Sequence, residues 1–181
     1  RTEYVLNWED GSEDALSAAL ETTCGATVSL RDQLAAAVDV KMNGLDYDFI
    51  RWSTHDGFVT YQRQVAFAEK AAIGRIKVKR GATVDTDLNT TSIAPNFVHS
   101  LDAAQMREAI RLAKVPCAAI HDSIGTRACD YWVMAKAVRT AFVNIDARAQ
   151  TEKFLADTGT KLEILGDYDP SECLQSSYFW C

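Results

Sequence analysis

The sequence predicts an α+β fold, and three observations carry the prediction. Apolar residues recur at helical spacing in several separate stretches. Arg75-Ile76-Lys77-Val78-Lys79 alternates basic and apolar with period two, the pattern of a half-buried strand with one cationic face. The short apolar run Cys117-Ala118-Ala119-Ile120 stops at His121-Asp122-Ser123, and a second short strand follows it.

In chain order, Ser12-Glu13-Asp14 reads as a helix start, with Ala15, Leu16, Ala19 and Leu20 as its apolar face. Ser29 reads as a second N-cap. Leu30, Leu34, Val38 and Met42 follow it, and Asn43-Gly44 is the stop. Phe49 to Trp52 is a short strand before a His55-Asp56-Gly57 turn. Ile73-Gly74 is a candidate hairpin turn, and residues 84–92 are polar and irregular. Ser100 is placed to cap a helix over 101–114 lined by Ala103, Met106, Ile110 and Ala113. Asp130 starts a long helix whose stripe is Tyr131, Met134, Val138, Phe142 and Ile145, read as core. The tail, 166–181, ends in the aromatics Tyr178-Phe179-Trp180.

The 181 residues, 48% hydrophobic and 24% charged, suit one globular domain or two small ones. No apolar run is long enough to span a bilayer, and no signal-peptide pattern stands at the start, so no membrane partner is expected. The five cysteines form no C-x-x-C pair, so neither a zinc site nor a disulfide framework is expected, and the setting is read as reduced and intracellular. A first residue of Arg rather than Met suggests a processed, trimmed or partial chain. The net charge of −6 argues against a nonspecific nucleic-acid coat. Yet Arg63, Lys70, Arg75, Lys77, Lys79 and Arg80 face only Glu69 between positions 63 and 80. This strip of +5 leaves −11 on the rest. The strip is either a place where phosphates or base edges are met or a solvated hairpin. An ionised aspartate at the end of an apolar strand needs a partner, a metal ion or a cation.

Three segments together resemble the single-subunit, bacteriophage-type RNA polymerases. Trp52-Ser53-Thr54-His55-Asp56-Gly57-Phe58 resembles the W-x-T-x-D-G-F segment before that family's promoter-specificity hairpin. Ala94-Pro95-Asn96-Phe97-Val98-His99-Ser100 resembles the segment joining fingers to palm, and Ile120-His121-Asp122-Ser123-Ile124-Gly125-Thr126 resembles motif C of the palm. The residues from Gly166 resemble the family's C-terminal end, with Leu174, Ser176 and the final aromatics in register. The likeness is strong from about Trp52 and weak before it. It implies the C-terminal part of a right-hand polymerase: 1–57 in the fingers, 58–91 the specificity hairpin, 92–157 the palm with motif C, and 158–181 a C-terminal foot. Gly125-Thr126 is closer to the phage enzymes than to the mitochondrial ones. The implied location is therefore the cytoplasm of an infected bacterial host, with a mitochondrion ranked second.

The resemblance implies roles for individual residues. Asp122 is the catalytic carboxylate and a ligand of Mg²⁺ in a two-metal site, whose ions activate the 3′-hydroxyl and clamp the triphosphate. His121 positions Asp122 or the primer terminus. His99 meets the template–product duplex, where an imidazole can donate to minor-groove acceptors common to every base pair; the alternative is that it caps the next helix. Arg75, Lys77, Lys79 and Arg80 lie where the family places the hairpin that reads promoter DNA. Tyr178 to Cys181 resemble an aromatic foot that packs toward the active site. The implied partners are DNA template and promoter, RNA product and nucleoside triphosphates.

Two required parts have no counterpart in the sequence: a second carboxylate and a fingers helix bearing Arg, Lys and Tyr. Asp10-Gly11-Ser12 shares only its first residues with the former and is read as coincidence. The chain resembles about the last fifth of such an enzyme. It is either a fragment or one subunit of a split polymerase whose other polypeptide carries the missing motifs, and it is inactive alone. Three rivals rank lower. A family A-like DNA polymerase fragment would carry His-Asp-Glu where this chain has His121-Asp122-Ser123. The others are a non-enzymatic nucleic-acid-binding module, and a hydrolase for which no nucleophile with a placed base is visible.

Overall fold

The computed structural model describes residues 12–44, 49–73, 76–163 and 168–179. Helix α1, Ser12–Gly44, is two helices joined at Cys24, whose φ of −127° and ψ of 28° leave the helical well. The break falls in Thr22-Thr23-Cys24-Gly25, four poor helix formers in a row, and not at Ser29. Ser29 lies inside the second helix, where its hydroxyl accepts a bond from the Gln33 side chain at 3.3 Å. Leu34 and Val38 are buried with Leu30 and Met42 packed beside them, as the spacing requires. The first helix differs from expectation: Ala15, Leu16, Ala19 and Leu20 are all exposed.

Strands β1, Ile50–Ser53, and β2, Val59–Gln62, pair antiparallel with Trp52 opposite Thr60. The turn between them needs Gly57, whose φ is +82°. Strands β3, Val65–Ile73, and β4, Ile76–Val84, form a longer antiparallel hairpin whose last pair is Ile73 with Ile76. The predicted turn thus begins where expected, though Gly74 and Arg75 lie outside the described residues. Lys77, Lys79 and Arg80 belong to β4, opposite Ala72, Lys70 and Glu69.

The segment read as irregular is the beginning of a helix. Helix α2, Thr86–Ala113, starts at the N-cap Asp85, whose carboxylate accepts from Leu88 N at 2.9 Å. It runs on through Pro95, which sits exposed inside it. Asn89 secures the start: its amide donates to the Gln64 and Asp85 carbonyls and its oxygen accepts from Gln64 N. Ser100 is mid-helix and caps nothing. Its hydroxyl donates to the Phe97 carbonyl at 2.6 Å and accepts from Trp52 Nε1 at 2.9 Å.

Strands β5, Cys117–Ile120, and β6, Ser123–Thr126, pair antiparallel around the two residues His121 and Asp122. A 3-10 turn, Ala128–Asp130, leads into helix α3, Tyr131–Ile145. Of the predicted stripe, Met134, Val138 and Ile145 are buried, Phe142 is half-buried and Tyr131 is exposed. Helix α4, Ala147–Ala156, was not anticipated; Asp146 caps it by accepting from Ala149 N at 3.0 Å.

Two apolar cores result. One joins α1, β1, α2 and α4 through Leu34, Val38, Trp52, Ile93, Phe97 and Phe154. The other packs Ala109 and Ala113 of α2 on Met134, Val138 and Ala141 of α3, with Cys117, Ile124 and Phe179 at its edge. Each spaces α2 against a different neighbour. Among the described residues no helix is long and apolar enough to cross a membrane, and the four described cysteines are free thiols.

Candidate functional site

The second core fixes the root of the β5–β6 hairpin while its tip stands clear. Cys117 and Ile124 pack inward, whereas Ile120 is 69% exposed and His121, Asp122 and Ser123 are exposed. The apolar strand is therefore open on this chain. A two-residue turn needs left-handed backbone, and His121 supplies it at φ +54°. The turn presents Asp122 beside α2.

An open cleft of about 580 Å³ lies between the two elements, lined by His99, Asp102, Met106 and Arg107 of α2 and by His121 and Asp122 of the turn. The structure thus brings together three residues singled out in the sequence, His99, His121 and Asp122. His99 is exposed in mid-helix, so the capping alternative is excluded. Ala103, Met106 and Ile110, read as one side of a packed helix, form the apolar wall of this cleft. The buried side of α2 carries Ala104, Gln105, Glu108 and Ala109 instead.

Sequence reading missed two members of the cleft. Asp102 lies three positions after His99 and so on the same helical face. Burial pushes its carboxyl above the ordinary range, the nearby His99 opposes that shift, and the negative Asp122 adds to it. Arg107 reaches across to the β1–β2 turn. Its Nε donates to Asp56 Oδ2 at 2.5 Å and its Nη2 to Asp56 Oδ1 at 3.1 Å, while its guanidinium lies 4.7 Å from the centroid of Phe58. Hydrogen bonding from Arg107, with help from Thr54, holds the Asp56 carboxyl well below the usual carboxylate range against the opposing effect of burial. The helical periodicity of 3.6 was the available signal for Asp102. No local signal links Asp56 to Arg107.

Two carboxylates, Asp102 and Asp122, therefore line one open cleft. Mg²⁺ takes hard oxygen ligands, keeps several waters and commonly uses one or two carboxylates plus substrate phosphates. The donor set suits such a partial site. Among the described residues no group of three or more His, Cys, Asp or Glu could hold a metal by itself. The side chains of Lys77, Lys79 and Arg80, and all of Arg75, lie outside what is described. Near the C-terminal end, Phe179 packs on Phe142 at 5.2 Å and lines a smaller cavity with Ser123 and Ile124, which puts it beside β6.

Comparison with known proteins identifies the family. The family profile described as DNA-dependent RNA polymerase matches residues 20–176. "DNA-directed RNA polymerase 3, chloroplastic" of Nicotiana sylvestris is 32% identical over 146 residues, covering 72% of this chain and 15% of the relative. "DNA-directed RNA polymerase 2A" of Nicotiana tabacum is 35% identical over 101 residues, 50% of this chain and 30% of the relative. "DNA-directed RNA polymerase 1, mitochondrial" of Arabidopsis thaliana is 35% identical over 101 residues, 50% of this chain and 10% of the relative. The matched stretches are thus a small part of these relatives' lengths. Their names point to chloroplasts and mitochondria, not to the infected bacterial host that was expected, and the profile is that of RNA rather than DNA polymerases. With a profile spanning 20–176, the chain belongs to the phage-type, single-subunit family of DNA-dependent RNA polymerases.

Proposed function

We propose that this chain is the C-terminal fingers and palm portion of a DNA-directed RNA polymerase, and that Asp122 is one of its two catalytic carboxylates. The observation that carries the proposal is the meeting of His99, His121 and Asp122 in one cleft, each from a segment that resembles a polymerase motif. Asp122 would hold Mg²⁺. When bound, the metal makes the attacking 3′-hydroxyl acidic and neutralises charge on the triphosphate. His121, fixed in the left-handed region, aims its neighbour Asp122 into the cleft. His99 offers an imidazole donor to the minor groove of the template–product duplex, where the acceptors are nearly the same for every base pair. The basic segment bearing Arg75, Lys77, Lys79 and Arg80 meets promoter DNA, with cations on phosphates and base edges.

The remaining motifs, a second aspartate and a nucleotide-gripping helix, belong to further polymerase sequence, on a second polypeptide or in a longer chain. The partition into 1–57, 58–91, 92–157 and 158–181 is part of the same proposal. Relatives named as chloroplastic and mitochondrial favour an organelle as the location.

The test is RNA synthesis by polymerase assembled from this chain and the polypeptide carrying the other motifs, with Asp122→Asn compared to wild type. Losing a metal-binding carboxylate removes several kcal/mol of transition-state stabilisation, so the rate falls at least about a hundredfold. An Asp122→Asn enzyme that keeps the wild-type rate refutes the assignment. RNA synthesis by this chain alone refutes the partial-site reading.

A further inference from the structure

The outer face of the β1–β2 hairpin is not used by the catalytic cleft. Strand alternation turns Ile50, Trp52 and Gln62 into the core and leaves the cross-strand partners Arg51 and Tyr61 outside. Phe49 extends that face, its ring 5.6 Å from that of Tyr61 at an interplanar angle of 59°. The Arg51 guanidinium lies 5.8 Å from the centre of the Tyr61 ring. Tyr61 is nonetheless 61% exposed and Phe49 40%. Two aromatic rings and an arginine thus share an open surface.

This surface borders a second cleft, of about 440 Å³. It runs from Tyr61 and Arg63 past Gln64 and Asn96 to His99 and Ser100. Among the described residues no carboxylate lines it, on a chain whose net charge is −6. His99 is also a wall of the catalytic cleft, so the two depressions meet at that residue.

We propose that this second cleft binds an unpaired strand of nucleic acid, with a base stacked on Tyr61 and phosphates met by Arg51 and Arg63. The inference rests on the polymerase reading, because that reading puts nucleic acid at His99. Charge complementarity and continuity with the catalytic cleft select the ligand. The exposed aromatic platform selects the single strand, since base faces are free to stack only where strands are separated. The strand is either the transcript leaving the duplex or a DNA strand parted from its complement; both offer the same phosphates and the same base faces.

The test is fluorescence polarisation of labelled oligouridylate, oligothymidylate and a duplex of equal length, titrated with the full 181-residue chain in a chelator and without nucleotides. Single strands bind this cleft, and Tyr61→Ala leaves the affinity for the duplex unchanged. Tyr61→Ala weakens binding about 5- to 100-fold, the loss of one base–aromatic stack, and Tyr61→Trp preserves it. Arg63→Gln lowers the slope of log K against log salt by about 0.7, the loss of one phosphate contact. Tighter binding of oligouridylate identifies the transcript, and tighter binding of oligothymidylate identifies a DNA strand; either supports the site. Equal affinity of Tyr61→Ala and wild type for the single strands, an equal loss by Tyr61→Ala for the duplex, or no binding of single strands by wild type overturns it. Because the assay contains neither metal nor nucleotide, its outcome is independent of whether Asp122 is catalytic. A failed synthesis test and a failed binding test are therefore separate results.

Discussion

Replacing Ser100 by alanine should cost more than one hydroxyl is worth. Trp52 is only 5% exposed, its ring edge-on to Phe154 at 5.9 Å and tilted against Phe97 at 6.2 Å. Its indole N–H has one partner, Ser100 Oγ at 2.9 Å. Ser100→Ala leaves that part-buried donor without its protein partner, a penalty of about 1–3 kcal/mol. Trp52→Phe removes the donor together with some packing, for about 1–2 kcal/mol. Once the donor is gone, Ser100→Ala forfeits only the bond from its hydroxyl to the Phe97 carbonyl, a short-range contact of small net worth. The double variant should then be more stable than the sum of the singles predicts, by about 1 kcal/mol or more. Urea unfolding followed by far-UV circular dichroism, on wild type, both singles and the double, measures this. If Ser100→Ala costs the same in both backgrounds to within about 0.5 kcal/mol, the pair does not act as described.

Two further outcomes follow from the same structure. The Asp56 carboxyl is depressed in the folded state, so its contribution is fully present above the unfolded value of about 3.9 and is lost as pH falls below it toward the folded value. Because the pair with Arg107 is partly exposed, the difference in stability between wild type and Asp56→Asn should be about 1 kcal/mol at neutral pH and shrink below about pH 4; a difference independent of pH rejects the pairing. Asn89→Ala should destabilise by about 2–4 kcal/mol, because it strands the Gln64 backbone groups that the buried amide serves; a change below about 1 kcal/mol in a urea titration argues against that bridge.

What was legible in the sequence was local. Period-two alternation located β4, the polar stop after Ile120 located the β5–β6 turn, and helical spacing located the buried half of α1 and most of α3. The start of α2 was hidden because residues 84–92, with Asp85, Asp87 and Asn89, are polar and without apolar spacing. Two of them are fastenings instead: Asp85 caps the helix and Asn89 ties it to Gln64. Apolar spacing marked a face at Ala103, Met106 and Ile110 without saying whether it was packed or open, and it is the wall of a cleft. At the site, His99, His121 and Asp122 were recognisable because each sits in a recognisable segment. The Asp56–Arg107 pair was not, since side chains 51 positions apart meet only through the fold.

The length of α2 has a mechanical consequence. At 28 residues and 1.5 Å of rise each, it is a rod of about 42 Å. Its first turn is pinned to Gln64, just before the β3–β4 hairpin, its middle bears His99 and Asp102, and Arg107 braces it against the β1–β2 turn. A stiff rod cannot be turned at one end and stay still at the other, so a load on the hairpin becomes a tilt of the cleft wall facing Asp122. Pro95 lies between the pinned end and His99 and removes one rung of the helical ladder. That is where the rod should flex, and the compliance of this one joint sets how much of a pull on the hairpin arrives at the chemistry.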